Sequence, residues 1–237
     1  LNYLVSLSND SVPKTASDIR KLHKQMTNDH GASGANSALK LLRMIMNSHH
    51  ADDSTFPSWP SEGLRGVWAY EPPRETRIAM SDMWSAWAAD LPPLWKSWMR
   101  FALLTGMRKS ETTRAYKDGD EIVVDGTKNG VPLRLPITDA IERQFVDFSR
   151  ISCFKPFSKK FYAATEIWIT PHDLRRTFAS TARVAGVQQT TISWLMNHSS
   201  ARDSQTSRYQ GRPEGYVLCE ALHQIEAVYR QYGYTDE

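Results

Sequence analysis

The chain has 237 residues, 41% hydrophobic and 23% charged, which is ordinary for a globular protein able to bury a core. It holds no run of eighteen apolar residues, so no helical membrane span is expected, and no leader pattern stands at Leu1. A net charge of +3 permits nucleic-acid binding without demanding it, and two cysteines, Cys153 and Cys219, make neither a disulfide framework nor a zinc site, so a reducing cytoplasm is expected.

Residues 1–50 read as helical. Ser17 is placed to cap a segment carrying Ile19, Leu22 and Met26 at helical spacing, and Gly31 and Gly34 mark a turn. The following ANSALKLLRMIMN carries Ala38, Leu41, Leu42 and Ile45 as an apolar stripe. Residues 51–73 hold four prolines and two glycines with no sustained period, which is linker composition. His49, His50, Asp52 and Asp53 cluster at a helix end without a distant partner set, and a polar terminus is a better reading than a metal site.

From Arg74 the pattern is compact again. Ser81 is placed to cap a helix with Met83, Trp84 and Trp87, and Pro92-Pro93 opens another, LWKSWMRFALL. The tryptophans at 84, 87, 95 and 98 are expected in the core. Gly106 ends that helix and leaves Arg108 at a turn, three residues before Glu111, which can orient it through a charge-assisted bond. EIVV and PLRLPI read as short strands, and the turn formers of DGTKNG put Lys128 on the tip of the hairpin joining them. Thr138 is placed to cap a helix bearing Ile141, Phe145 and Phe148. The basic KPFSKK is read as a loop, and Pro213 starts a last helix with Leu218, Ala221, Leu222, Ile225 and Tyr229 on one stripe. That helix either folds back on its own domain or docks on a neighbour.

The densest stretch is Thr170 to Gln210. Thr170 is a natural N-cap with Pro171 at the first helical position. His172 and Arg175 share a helix face, while Leu174, Phe178 and Ala182 are spaced by four for burial. Gly186 stops the helix, and a second, capped by Thr190 and packed through Ile192, Trp194 and Leu195, delivers His198 to its end. Ser207-Arg208-Tyr209 lies just beyond. Two imidazoles, a guanidinium and a phenol within about forty residues can handle an anion and attack it.

The H-x-x-R of HDLRR, the later L-x-N-H-S-S and the following R-Y together resemble the tyrosine recombinase (phage integrase) family. The resemblance extends to LLTGMRKSE (Leu103 to Glu111) as the first arginine box and to TKNG (Thr127 to Gly130) as the lysine turn. Arg175 and His198 are 23 apart, close to the family's habit, and the 11 from His198 to Tyr209 is slightly long. It implies a mainly α fold with a small antiparallel sheet (α+β). It divides the chain into a partial helical core-binding domain at 1–50, a linker at 51–73 and a catalytic domain at 74–237.

The resemblance also implies roles. Arg108, Arg175 and His198 stabilise phosphate oxygens, Lys128 protonates the departing 5′ oxygen, His172 takes or holds the proton of Tyr209, and Tyr209 is the nucleophile. Glu111 supports Arg108. Arg176 and Arg208 are adjacent cations assigned to DNA binding with Lys40 and Arg43. No cofactor or metal is required. The partners implied are double-stranded DNA recombination sites, a homotetramer formed on that DNA, and accessory DNA-bending proteins, in a nucleoid-associated setting and a prophage or mobile element.

Other readings stay open. ARVAGVQQTTISWLMNHSS has the small residues and central glycine of a helix-turn-helix regulator, which would not need Arg108, Lys128 or Tyr209. A relaxing topoisomerase shares the chemistry, and a folded but inactive prophage remnant shares the residues.

Overall fold

The computed structural model describes residues 12–60, 64, 77–128, 130–198 and 212–235. They divide into two compact units, Leu1–Arg74 and Glu75–Glu237.

The first unit is built on α1 (Ala16–Asp52), broken at Gly31, whose φ of 76° and ψ of 163° only glycine adopts readily. The cap is Thr15 rather than Ser17: its hydroxyl accepts from the Asp18 N–H while Asp18 reaches back to the Thr15 N–H. The helix after the break buries Ala35, Leu39, Leu42 and Met46, and the last three join Ile19 and Trp59 in a small core. The stripe is therefore rotated one residue from the expected Ala38, Leu41 and Ile45, and Ile45 is exposed. His50 Nδ1 is 2.7 Å from the Phe56 carbonyl, and Asp53 accepts from the Thr55 N–H and hydroxyl, so both are engaged in the helix end.

The second unit is mainly helical with one small antiparallel sheet, the predicted class. A short 3-10 turn (Met80–Asp82) leads into α2 (Met83–Ala88), with no side-chain cap from Ser81. Next come α3 (Pro93–Thr105) and the one-turn α4 (Lys109–Thr112). Three strands follow, β1 (Tyr116–Asp118), β2 (Glu121–Val124) and β3 (Leu133–Pro136), in the order β1-β2-β3. β1 was not anticipated, because Tyr-Lys-Asp has all three side chains exposed and no apolar alternation to reveal it. The helices α5 (Asp139–Gln144), α6 (Lys155–Thr165), α7 (Pro171–Val184), α8 (Gln189–Leu195) and α9 (Gly215–Gln231) complete the unit.

One core joins them. Leu174, Phe178 and Ala182 of α7 are fully buried, as their spacing predicts, beside Trp98, Phe101 and Leu104 of α3. Helix α9 packs against α7, α3, α8 and β3, so it folds back on its own unit. KPFSKK is not a loop: it opens α6, whose Phe157 and Phe161 are fully buried, and Phe157 meets Trp98 edge-on at 4.8 Å. Trp84 is 60% exposed and Trp95 partly so, against expectation, while Trp87 and Trp98 are core. Among the described residues no helix is long and apolar enough to cross a membrane.

Candidate active site

Helix α3 ends because Gly106 turns left-handed, with φ of 63°, and the chain then runs extended through Arg108 into α4. A side chain on Gly106 is excluded twice, since a Cβ there would come within 2.4 Å of the Phe178 ring. The turn frees the Gly106 carbonyl, which accepts from Arg175 Nη1 at 2.7 Å. Two stretches almost seventy residues apart thus meet at one backbone oxygen.

Glu111 sits at the centre. It is 1% exposed, accepts from Arg108 Nη1 at 2.6 Å and from the Arg108 N–H at 2.8 Å, and lies 3.9 Å from Arg175 Nη1. A buried carboxylate is stable only with such partners, and two guanidiniums are held close only by a charge between them. Each arginine also donates to the end of α8, Arg175 Nη2 to the Met196 carbonyl at 2.6 Å and Arg108 Nη2 to the Asn197 carbonyl at 3.5 Å. Arg175 is 4% exposed; burial first, then Arg108, push its guanidinium down to about 10 against the pull of Glu111. It stays charged at neutral pH.

Helix α7 begins with a capping box in which the Asp173 carboxylate accepts from the Thr170 N–H at 2.8 Å and the Thr170 hydroxyl at 2.7 Å. The same carboxylate holds Arg176 at 2.9 Å. This fixes the turn carrying His172, which is exposed at the first turn of α7. Its imidazole is lowered from the usual 6.5 by partial burial first, then by Arg176, Arg175 and Arg108, with Asp173 opposing. His172 therefore senses both site arginines, which disfavour its charged form.

Helix α8 is capped at Gln188 rather than Thr190, and it ends as Asn197 enters the left-handed region at φ of 47°. His198 follows, exposed, its N–H bonded to the Ser193 carbonyl at 2.8 Å. Lys128 is exposed on the β2–β3 connection, where the Thr127 hydroxyl donates to the Val131 carbonyl at 2.6 Å and closes the tip.

The structure thus gathers Arg108, Glu111, Arg175 and His172 with the backbone just before His198. Lys128 is not among them; its hairpin meets the end of α8 where the Asn197 amide donates to the Val131 carbonyl at 3.3 Å. Tyr209 and Arg208 lie outside the described residues. Lys40 and Arg43 are exposed on α1 in the other unit. Sequence reasoning overlooked Asp173 and Asn197. The T-x-x-D spacing announces the first, and an asparagine where a helix must end left-handed announces the second.

A groove of about 500 Å³ borders the site, lined by Lys109, Lys155, Lys159, Trp168, Thr170 and Pro171 among others. Lys109 follows Arg108 and Pro171 precedes His172 in the chain, so groove and site share a rim. Among the described residues no group of three or more His, Cys, Asp or Glu side chains is arranged to hold a metal ion.

No family model and no curated protein matches the sequence. Solved structures do. A lambda integrase (75-356) dimer bound to a COC′ core site is similar at a TM-score of 0.57 and 16% identity, over 84% of this chain and 82% of that one. A lambda integrase tetramer bound to a Holliday junction gives 0.59 and 15%, over 84% and 66%. The Tn1549 transposon integrase (aa 82-397) in complex with circular intermediate DNA gives 0.54 and 15%, over 87% and 84%. At such identities the likeness is one of architecture, and the chain has a tyrosine recombinase fold.

Proposed function

We propose that the chain cleaves and rejoins duplex DNA at specific sites through a 3′-phosphotyrosyl intermediate. The observation that carries this reading is the pair Arg108 and Arg175, drawn from distant parts of the chain onto one buried carboxylate beside His172. Attack on a phosphodiester builds charge on the non-bridging oxygens, and preorganised guanidiniums suit that charge. Arg108 and His198 are accessible to a phosphate, and the buried Arg175 adds charge from beneath the surface.

In this mechanism the Tyr209 oxygen attacks phosphorus and gives its proton to His172, whose neutral state suits a base. The P–O5′ bond breaks as the new P–O bond forms, and Lys128 gives its proton to the 5′ oxygen. One phosphodiester replaces another, so the energy is kept for rejoining and no external cofactor is consumed. Fixed cations take the place that a metal ion occupies in many nucleases.

Residues 74–237 form the catalytic domain in this reading, with 51–73 as linker and 1–50 as part of a core-binding domain whose Lys40 and Arg43 face phosphates. Arg176 and Arg208 add DNA contacts. The similar structures include a tetramer on a Holliday junction. We assign this chain the same assembly on two paired sites, with accessory DNA-bending proteins, in the cytoplasm of a cell carrying a mobile element.

The test is to incubate the protein with a pool of random duplex DNA in excess chelator, denature, and sequence whatever stays covalently attached. Attached fragments sharing a sequence, with a free 5′ hydroxyl on the released partner, are expected. Binding without any covalent product would favour a regulator. Attachment without sequence preference would favour a relaxing enzyme.

A further inference from the structure

Asn197 is a non-glycine residue at positive φ, 1% exposed, at the junction of three parts of the site. Its backbone carbonyl accepts from Arg108 Nη2 at 3.5 Å. Its chain neighbours are Met196, whose carbonyl holds Arg175 at 2.6 Å, and His198. Its side-chain amide donates to the Val131 carbonyl at 3.3 Å, across 66 residues of sequence. The Thr127 hydroxyl donates to that same carbonyl, so a single oxygen is gripped from inside the hairpin and from α8. Lys128 lies between the two residues of that clasp.

We propose that Asn197 is a positioning residue that couples the Lys128 hairpin to the arginine pair. The fold needs only a left-handed residue there, which glycine supplies without strain. What asparagine adds is a donor able to cross to the hairpin. An exposed lysine on a short turn samples many positions, and a general acid must stand within hydrogen-bond reach of the oxygen it protonates. Tethering the return arm of the turn to the segment that bears His198 and accepts from Arg108 and Arg175 sets where Lys128 stands relative to the phosphate. The inference rests on the strand-cleavage reading and on Lys128 as the acid.

The variants are Asn197→Gly, which keeps the backbone and removes the donor, and Asn197→Asp, which keeps the shape and turns an acceptor toward the Val131 carbonyl. Cleavage is measured on ordinary DNA and on DNA whose bridging 5′ oxygen is sulfur, a leaving group that needs no acid because a thiol's pKa is about 8.5. Asn197→Gly is expected to slow ordinary cleavage by at least about 10-fold, toward the roughly 10²–10⁴-fold loss of a missing acid in Lys128→Ala. Both variants are expected near wild-type rate on the sulfur substrate, with Asn197→Asp the slower on ordinary DNA. A defect of equal size on both substrates, or none on ordinary DNA, overturns the coupling.

Hydrogen exchange at the Gly130 amide, bonded to the Thr127 carbonyl at 3.1 Å, reads the tether without any chemistry. It is expected to quicken in Asn197→Gly, and unchanged exchange overturns the tether. No covalent product from wild type on either substrate would instead overturn the strand-cleavage reading, with the exchange result still deciding the tether.

Discussion

Glu111 holds the two arginines in place, and its burial makes it sensitive to any loss of charge. Glu111→Gln keeps the shape but leaves two guanidiniums facing each other across a neutral amide. It is expected to cost about 1.5–3 kcal/mol in urea unfolding, the range for a lost charged hydrogen bond. The loss of cleavage should exceed what that instability explains. A variant as stable as wild type would show that Arg108 and Arg175 do not depend on this carboxylate.

His172 gives a pH signature. Its folded pKa lies below 6.5, so between that value and 6.5 the unfolded chain holds more protons. The stability it contributes is present above 6.5 and is lost as pH falls through the folded pKa. For kcat/KM, which reports the free enzyme, the acid limb is expected below 6.5. Because Arg176 is the strongest charge acting on it, Arg176→Gln should move that limb upward. A limb at or above 6.5 in wild type would exclude His172 as the base. At this scale, helical spacing put His172 and Arg175 on one face, and the resemblance of LLTGMRKSE to an arginine box singled out Arg108. The carbonyls of Gly106, Met196 and Asn197 were not legible, because every residue has a carbonyl and only the fold decides which ones converge.

Elements differ in how openly the sequence declares them. Helix α7 was legible from end to end because a cap, a proline, an apolar stripe and a stop glycine all agree. Helix α6 was not: Lys155, Lys159 and Lys160 disguise a helix whose buried side rests on Phe157, packed on Trp98, and on Phe161 beside it. The turn after α3 is the element on which the site depends most. Gly106→Ala would place a left-handed alanine against Phe178 and displace the carbonyl that Arg175 uses. A loss on the order of 2–4 kcal/mol is expected from the left-handed strain and the overpacking together. Thermal unfolding measures it, and a change below about 0.5 kcal/mol, the ordinary surface range, would contradict this account of the turn.

For the whole molecule, the fold class was legible because helical periods dominate, two short apolar runs flank one turn, and the boxes resemble one family. How the basic residues distribute in space was not, since a net charge of +3 gives no direction. The groove beside the site gives one. If DNA held at the arginines continues along it, Lys155→Gln with Lys159→Gln should weaken binding across sequences alike. The double variant should also flatten the salt dependence of log Kd by about 0.9 for each phosphate no longer neutralised. An unchanged slope would turn the DNA path away from the groove.

In the proposed reaction one tyrosine of this chain becomes joined to DNA. Wild type, Tyr209→Phe and Tyr216→Phe can be compared on a nicked duplex that loses its short 5′ fragment and so traps the adduct, followed by peptide mapping of the attached residue. Adduct is expected from wild type and from Tyr216→Phe, mapped to Tyr209, and none from Tyr209→Phe, which should still bind DNA. Adduct formed by Tyr209→Phe would contradict Tyr209 as the nucleophile.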